Sequence, residues 1–115
     1  MSTDVEVWTD TLVDVQALLP VPSRWQPRTG ADYACWWFDG ERWLVTVCEP
    51  EPVDPGDIPA QVAQLLPGAR YLISIGLEPI NPSPAAWRFL NRVITALATG
   101  SHGLSFDVFT GEPIR

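Results

Sequence analysis

The run Tyr33-Ala-Cys-Trp-Trp-Phe-Asp-Gly-Glu-Arg-Trp-Leu-Val-Thr-Val-Cys48 constrains the fold more than any other part of the chain. Aromatic and β-branched residues lead into Asp39-Gly40 and out again, the strongest short-range mark of a β-hairpin. A two-residue turn there pairs Phe38 with Glu41, Trp37 with Arg42, Trp36 with Trp43 and Cys35 with Leu44. Side chains alternate along a strand, so this register sorts the hairpin into two faces. Ala34, Trp36, Phe38, Glu41, Trp43, Val45 and Val47 form the bulkier face, which is assigned to the core. Trp36 and Trp43 then make a cross-strand aromatic pair. Tyr33, Cys35, Trp37, Arg42, Leu44, Thr46 and Cys48 form the other face. Cys48 lies four residues beyond the partner of Cys35. That is roughly 13 Å of strand, where a disulfide needs Cα atoms within about 7 Å. Two unbridged thiols are expected, which suits a reducing compartment.

On either side of the hairpin the pattern alternates between strands and helices. Asp4 to Trp8 alternates polar and apolar and reads as a first strand. Leu12, Val15 and Leu19 repeat on one face of a helix of about ten residues, with Thr11 and Asp14 as a loose capping box and Pro20 and Pro22 closing it. Residues 20–32 form a loop in which Trp25 covers one end of the core and Arg24 and Arg28 pair with nearby acids. Glu49-Pro-Glu-Pro-Val-Asp-Pro-Gly-Asp57 packs four carboxylates and three prolines into nine residues. Proline stiffens the backbone and the charges resist burial, so this is a semi-rigid exposed segment. It also links strand to helix, with Asp57 placed to cap the next one.

Ile58 to Leu66 reads as a short helix with Val62, Leu65 and Leu66 inward, and Tyr71 to Ile75 as a central strand. Gly76 to Pro82 reads as a loop. Ser83-Pro84 opens a helix to about Thr99, with Trp87, Leu90, Val93, Ile94 and Leu97 as its apolar stripe and Gly100 as its cap. Leu104 to Thr110 is the last strand. The order β-α-β-β-α-β-α-β predicts an α+β fold. We expect one two-layer domain over residues 1–115, a mainly antiparallel sheet with helices packed on one face.

Charge is unevenly spread. Residues 1–57 carry eleven Asp and Glu against three Arg, a net of −8, while residues 58–115 net +1. Such a field disfavours nucleic acid and anionic membranes and attracts basic partners. The longest apolar runs are short and interrupted, as at Val93 to Ala98. The acidic N-terminus lacks the apolar core of a secretory signal, so a cytoplasmic, membrane-free protein is expected. The absence of Lys and the 12 Pro fit a GC-rich bacterial genome.

Catalytic and metal constellations are scarce. His102 is the only histidine, set in the turn Gly100-Ser-His-Gly103, and two distant cysteines complete no four-ligand zinc site. No phosphate loop, Walker pattern or nucleophile elbow occurs. The expectation is a protein that is not an enzyme and has no catalytic residues, metal or cofactor. Residues of binding character remain. Tyr33, Trp37 and Arg42 align on the outer hairpin face, and these types are enriched at hot spots. Glu49, Glu51, Asp54 and Asp57 offer an electrostatic dock beside them.

A helix, then Gly100-Ser-His-Gly103, then a strand with a central Asp107, on a small acidic Trp-rich chain, resembles the immunity proteins of bacterial polymorphic toxin systems. The likeness is one of build over roughly residues 71–113, and no functional residue is carried over from it. It implies tight one-to-one inhibition of a cognate toxin or effector with a basic surface. Two other classes stand beside it: a ligand-binding or enzymatic domain whose pocket is lined by Trp25, Trp37, Tyr33 and Arg42, and an oligomeric adaptor subunit. The sequence does not set the oligomeric state.

Overall fold

A computed structural model of the chain describes residues 5–20, 25–27, 33–39, 41–78, 84–107 and 113–114, with the backbone alone at 26–27, 35–39, 41–43 and 78. The elements are β1 (Val5–Thr9), α1 (Val15–Leu18), β2 (Gln26–Pro27), β3 (Tyr33–Asp39), β4 (Glu41–Val47), β5 (Glu51–Pro52), α2 (Ala60–Leu65), β6 (Tyr71–Glu78), α3 (Pro84–Ser101) and β7 (Leu104–Asp107). The α+β class and the order of the main elements are those the sequence predicts. β2 and β5 are short additions, lying in stretches read as loops.

The strands form one antiparallel sheet in the order β2-β3-β4-β6-β1-β7, with β5 also on β6. β6 is central because it is the most continuously apolar strand. Ile73 and Ile75 are fully buried, between β1 on one side and β4 on the other. It runs to Glu78, past the Ile75 at which the sequence pattern stops.

One sheet face carries the main core. Val5, Val7, Ile73, Ile75, Leu77, Val45 and Val47 pack with Val15 and Leu19 and with Phe89, Leu90, Val93, Ile94 and Leu97 of α3. The opposite face carries a smaller cluster, Trp8, Phe106, Val62 and Ala69, with Leu66, Ile58 and Val53 at its margin. α2 therefore covers part of the face that α1 and α3 leave open. Among the described residues nothing accepts a hydrogen bond from the buried Trp8 Nε1.

Three helical details depart from the pattern. The first helix is a single turn: Leu12 is exposed, and the N-cap is Asp14 with no side-chain cap bond, so the Thr11 box does not form. Instead Thr9 Oγ1 donates to the carbonyl of Thr11 at 2.9 Å, a local bond that ties up the chain where a longer helix would start. In α2, Val62 and Leu66 turn inward but Leu65 is exposed, and the N-cap is Pro59 rather than Asp57. In α3, Phe89 is buried and Trp87 is 49% exposed. Phe89 faces Trp25. Trp25 is buried in the main core as predicted, donates Nε1 to the carbonyl of Pro20 at 2.7 Å, and stacks on Phe89 with centroids 6.1 Å apart.

The Gly100-Ser-His-Gly103 turn is architectural. α3 runs through Gly100 to Ser101, and His102 takes the left-handed conformation at φ 54°. His102 N donates to Thr99 O and Gly103 N to Ala98 O, the paired bonds of a Schellman cap. Gly100 lets Leu18 pack close against α3: a Cβ there would meet Leu18 Cδ2 at 2.5 Å and that side chain would have to turn aside.

Candidate docking surface

The hairpin register differs from the two-residue-turn expectation by one position. Phe38 pairs with Arg42, Trp37 with Trp43, Trp36 with Leu44, Cys35 with Val45 and Tyr33 with Val47. Three residues thus separate Phe38 from its partner, where an Asp-Gly turn alone leaves two. Asp39 in turn pairs with Glu41, so both strands run up to position 40, and one residue of slip exchanges the faces of a strand. β4 keeps its assignment, because Val45 and Val47 are fully buried in the main core. β3 exchanges rows: positions 33, 35 and 37 join Val45 and Val47, and Ala34, Trp36 and Phe38 join Leu44 and Thr46.

Two corrections follow. The cross-strand tryptophan pair by register is Trp37 with Trp43, not Trp36 with Trp43. Tyr33, Trp37 and Arg42 do not align, because Arg42 falls in the alternate row and the row of Tyr33 and Trp37 is the one that α3 covers at Val45 and Val47. The side chains of Trp37 and Arg42 lie outside the described residues. The Trp25 indole is 7% exposed and packs inside the main core. Cys48 stands three residues past the partner of Cys35, a separation of roughly 10 Å along the strands, still too long for a bridge.

The acidic segment is where geometry and charge meet. Val47 pairs with Ile75 and Glu51 with Leu72, so four steps along one strand face three along the other. The additional residue is a β-bulge at Glu49-Pro50, following the bond from Cys48 N to Ser74 O at 2.9 Å. At the bulge Glu49 Oε1 accepts a hydrogen bond from the Tyr33 hydroxyl at 2.5 Å. The half-buried Glu49 and Tyr33 therefore hold each other, linking β3 to the start of the segment. That bond, then burial, then the charges of Glu49 and Asp14 push the Tyr33 hydroxyl up to about 12 from its ordinary 10.0.

Beyond the bulge the segment is fixed by its apolar residues. Val53 N donates to Arg70 O at 2.8 Å, and Asp57 N donates to Asp54 O at 2.9 Å within a 3-10 turn over Pro55–Asp57. Val53 and Ile58 pack at the edge of the Trp8 cluster. The side chains of Glu51, Asp54 and Asp57 are left exposed along this anchored backbone. A shallow cleft at its foot is lined by Pro52, Val53, Pro55, Arg70 and Tyr71. The sequence marked the carboxylates as a dock but not the Tyr33–Glu49 bond, which joins residues far apart in the chain and needs the bulge to form.

The Tyr33 bond gives a pH prediction. The folded state holds this proton up to about 12 and the unfolded chain loses it near 10.0, so the contribution is complete below 10.0 and is lost as pH rises through 12. The thermal midpoint of Tyr33→Phe should lie below that of the parent at pH 8, and the gap should close as pH rises toward 12. An unchanged gap measured by circular dichroism would contradict the bond's role.

Among the described residues no group of three or more His, Cys, Asp and Glu could hold a metal ion. Among them too, no helix is long and apolar enough to cross a membrane. His102 is exposed at the end of α3. No protein-family model, curated protein or solved structure matches the chain.

Proposed function

We propose that the chain is a protein-interaction inhibitor of the immunity type, binding and neutralising a cognate bacterial toxin in the cytoplasm. The observation that carries this reading is the acidic segment: Glu51, Asp54 and Asp57 stand exposed on a backbone anchored at the Glu49 bulge, at Val53 and at Ile58. A pre-ordered charged edge gives up little conformational entropy on binding and steers a basic partner during encounter. Tyr33 and Glu49 support the edge from behind, whereas Glu51, Asp54 and Asp57 are the contact groups.

The test is co-expression with the product of the neighbouring reading frame. Protection from toxicity together with co-purification is the expected result, and a toxic neighbour that is neither bound nor neutralised defeats the reading. With the complex in hand, Glu51→Gln, Asp54→Asn and Asp57→Asn combined should slow association about tenfold at low ionic strength. Thermal stability should change little, because exposed substitutions cost within about 0.5 kcal/mol each. Unchanged association with a lowered melting point would make the segment structural only.

A further inference from the structure

The outer face of α3 has the opposite character. Trp87, Arg88, Asn91, Arg92 and Thr95 are exposed there, and α3 contains no acidic residue. Arg88 and Arg92, one turn apart, are the shared wall of two open grooves. One groove continues through Asn91 and Thr95 to Pro20, the other to Ala85 and Phe89. Among the described residues no carboxylate pairs with either guanidinium. On a chain of net charge −7 this is an isolated strip of hydrogen-bond donors with an aromatic ring at one end.

We propose that this strip docks the Glu49–Asp57 segment of a second copy of the chain. The segment supplies what the strip lacks: exposed carboxylates at Glu51, Asp54 and Asp57, on a backbone stiffened by Pro50, Pro52 and Pro55. A proline-stiffened segment is already extended and gives up little conformational entropy on docking, and guanidinium groups bind carboxylates bidentately. Within one molecule the described segment and the strip lie on opposite faces of the sheet. α3 packs on the Val5 and Val7 face of the sheet, while Val53 and Ile58 hold the segment at the Trp8 face. Two copies related by a two-fold axis exchange both contacts and close as a dimer. This inference is independent of the inhibitor reading, although the dimer covers the same carboxylates that a basic partner would use.

Sedimentation velocity tests it. The protein should dimerise reversibly at about 50 mM salt, with the dissociation constant rising about tenfold at about 500 mM. Arg88→Glu with Arg92→Glu should be monomeric, and so should Glu51→Arg with Asp54→Arg. Mixing these two variants should restore a one-to-one complex, because one variant's groove then matches the other's segment. Restoration also shows that both variants are folded. A parent protein that stays monomeric at low salt overturns the proposal, as does a dimer that survives Arg88→Glu with Arg92→Glu. A monomer that binds a single-stranded oligonucleotide through these arginines overturns it too.

Discussion

Gly103→Ala should lower the melting temperature by roughly 10 °C, corresponding to about 3 kcal/mol for a domain of this size. A Cβ at position 103 would clash with the backbone oxygen of Trp8, and would also crowd Ser101 Oγ at 2.8 Å and Thr9 Cγ2 at 3.1 Å. A backbone oxygen cannot swing aside as a side chain does. Trp8 is held between Leu72 of β6 and Leu104 of β7, so relief requires parting β1 from β7. Gly56→Ala is the control: nothing lies within 4 Å of the added methyl, and the melting temperature should hold within about 2 °C. Equal behaviour of the two variants would mean that the Schellman turn does not seat Gly103 against β1.

Phe89→Ala should cost about 3–5 kcal/mol in urea unfolding, a large share of the about 5–15 kcal/mol that holds a small domain together. The ring is 2% exposed and stacks on Trp25, which in turn closes the end of the core through its bond to Pro20. Removing it leaves a cavity and frees the indole. Trp87→Ala, on the neighbouring but exposed position, should cost under about 1 kcal/mol. The sequence pattern ranks these two residues the other way. On a helix of 3.6 residues per turn, Trp87 lies nearer the middle of the stripe of Leu90, Val93, Ile94 and Leu97 than Phe89 does. If Trp87→Ala proves the more destabilising, the packing of Trp25 on α3 is not the dominant contact at that end of the core.

Trp87 and Phe89, two positions apart on α3, differ in burial for a reason that periodicity does not carry. Periodicity locates a helix and its apolar side, because burial must repeat with the turn. It does not say which flank of that side meets a neighbour, since this depends on Trp25, more than sixty residues away in the chain. The acidic segment divides in the same way. Its exposure was legible from charge and proline content. Its anchoring was not, because the bulge at Glu49-Pro50 and the bond from Tyr33 are consequences of β3, β4 and β6 lying side by side.

The hairpin gives the clearest division. Its composition alone determined that Tyr33–Asp39 and Glu41–Val47 are paired strands and that Val45 and Val47 belong to the core. Alternation is local and survives in any fold that buries one face. The register was decided by tertiary structure. Val45 and Val47 must meet Leu77 and Ile75 beneath α3, and β3 is paired so that Tyr33 joins their row and reaches Glu49. The Asp-Gly turn is a local preference, whereas one step of slip exchanges every side chain between core and reverse face. Burial across the assembled sheet therefore outweighs the preference of the turn, and no single strand carries that burial alone.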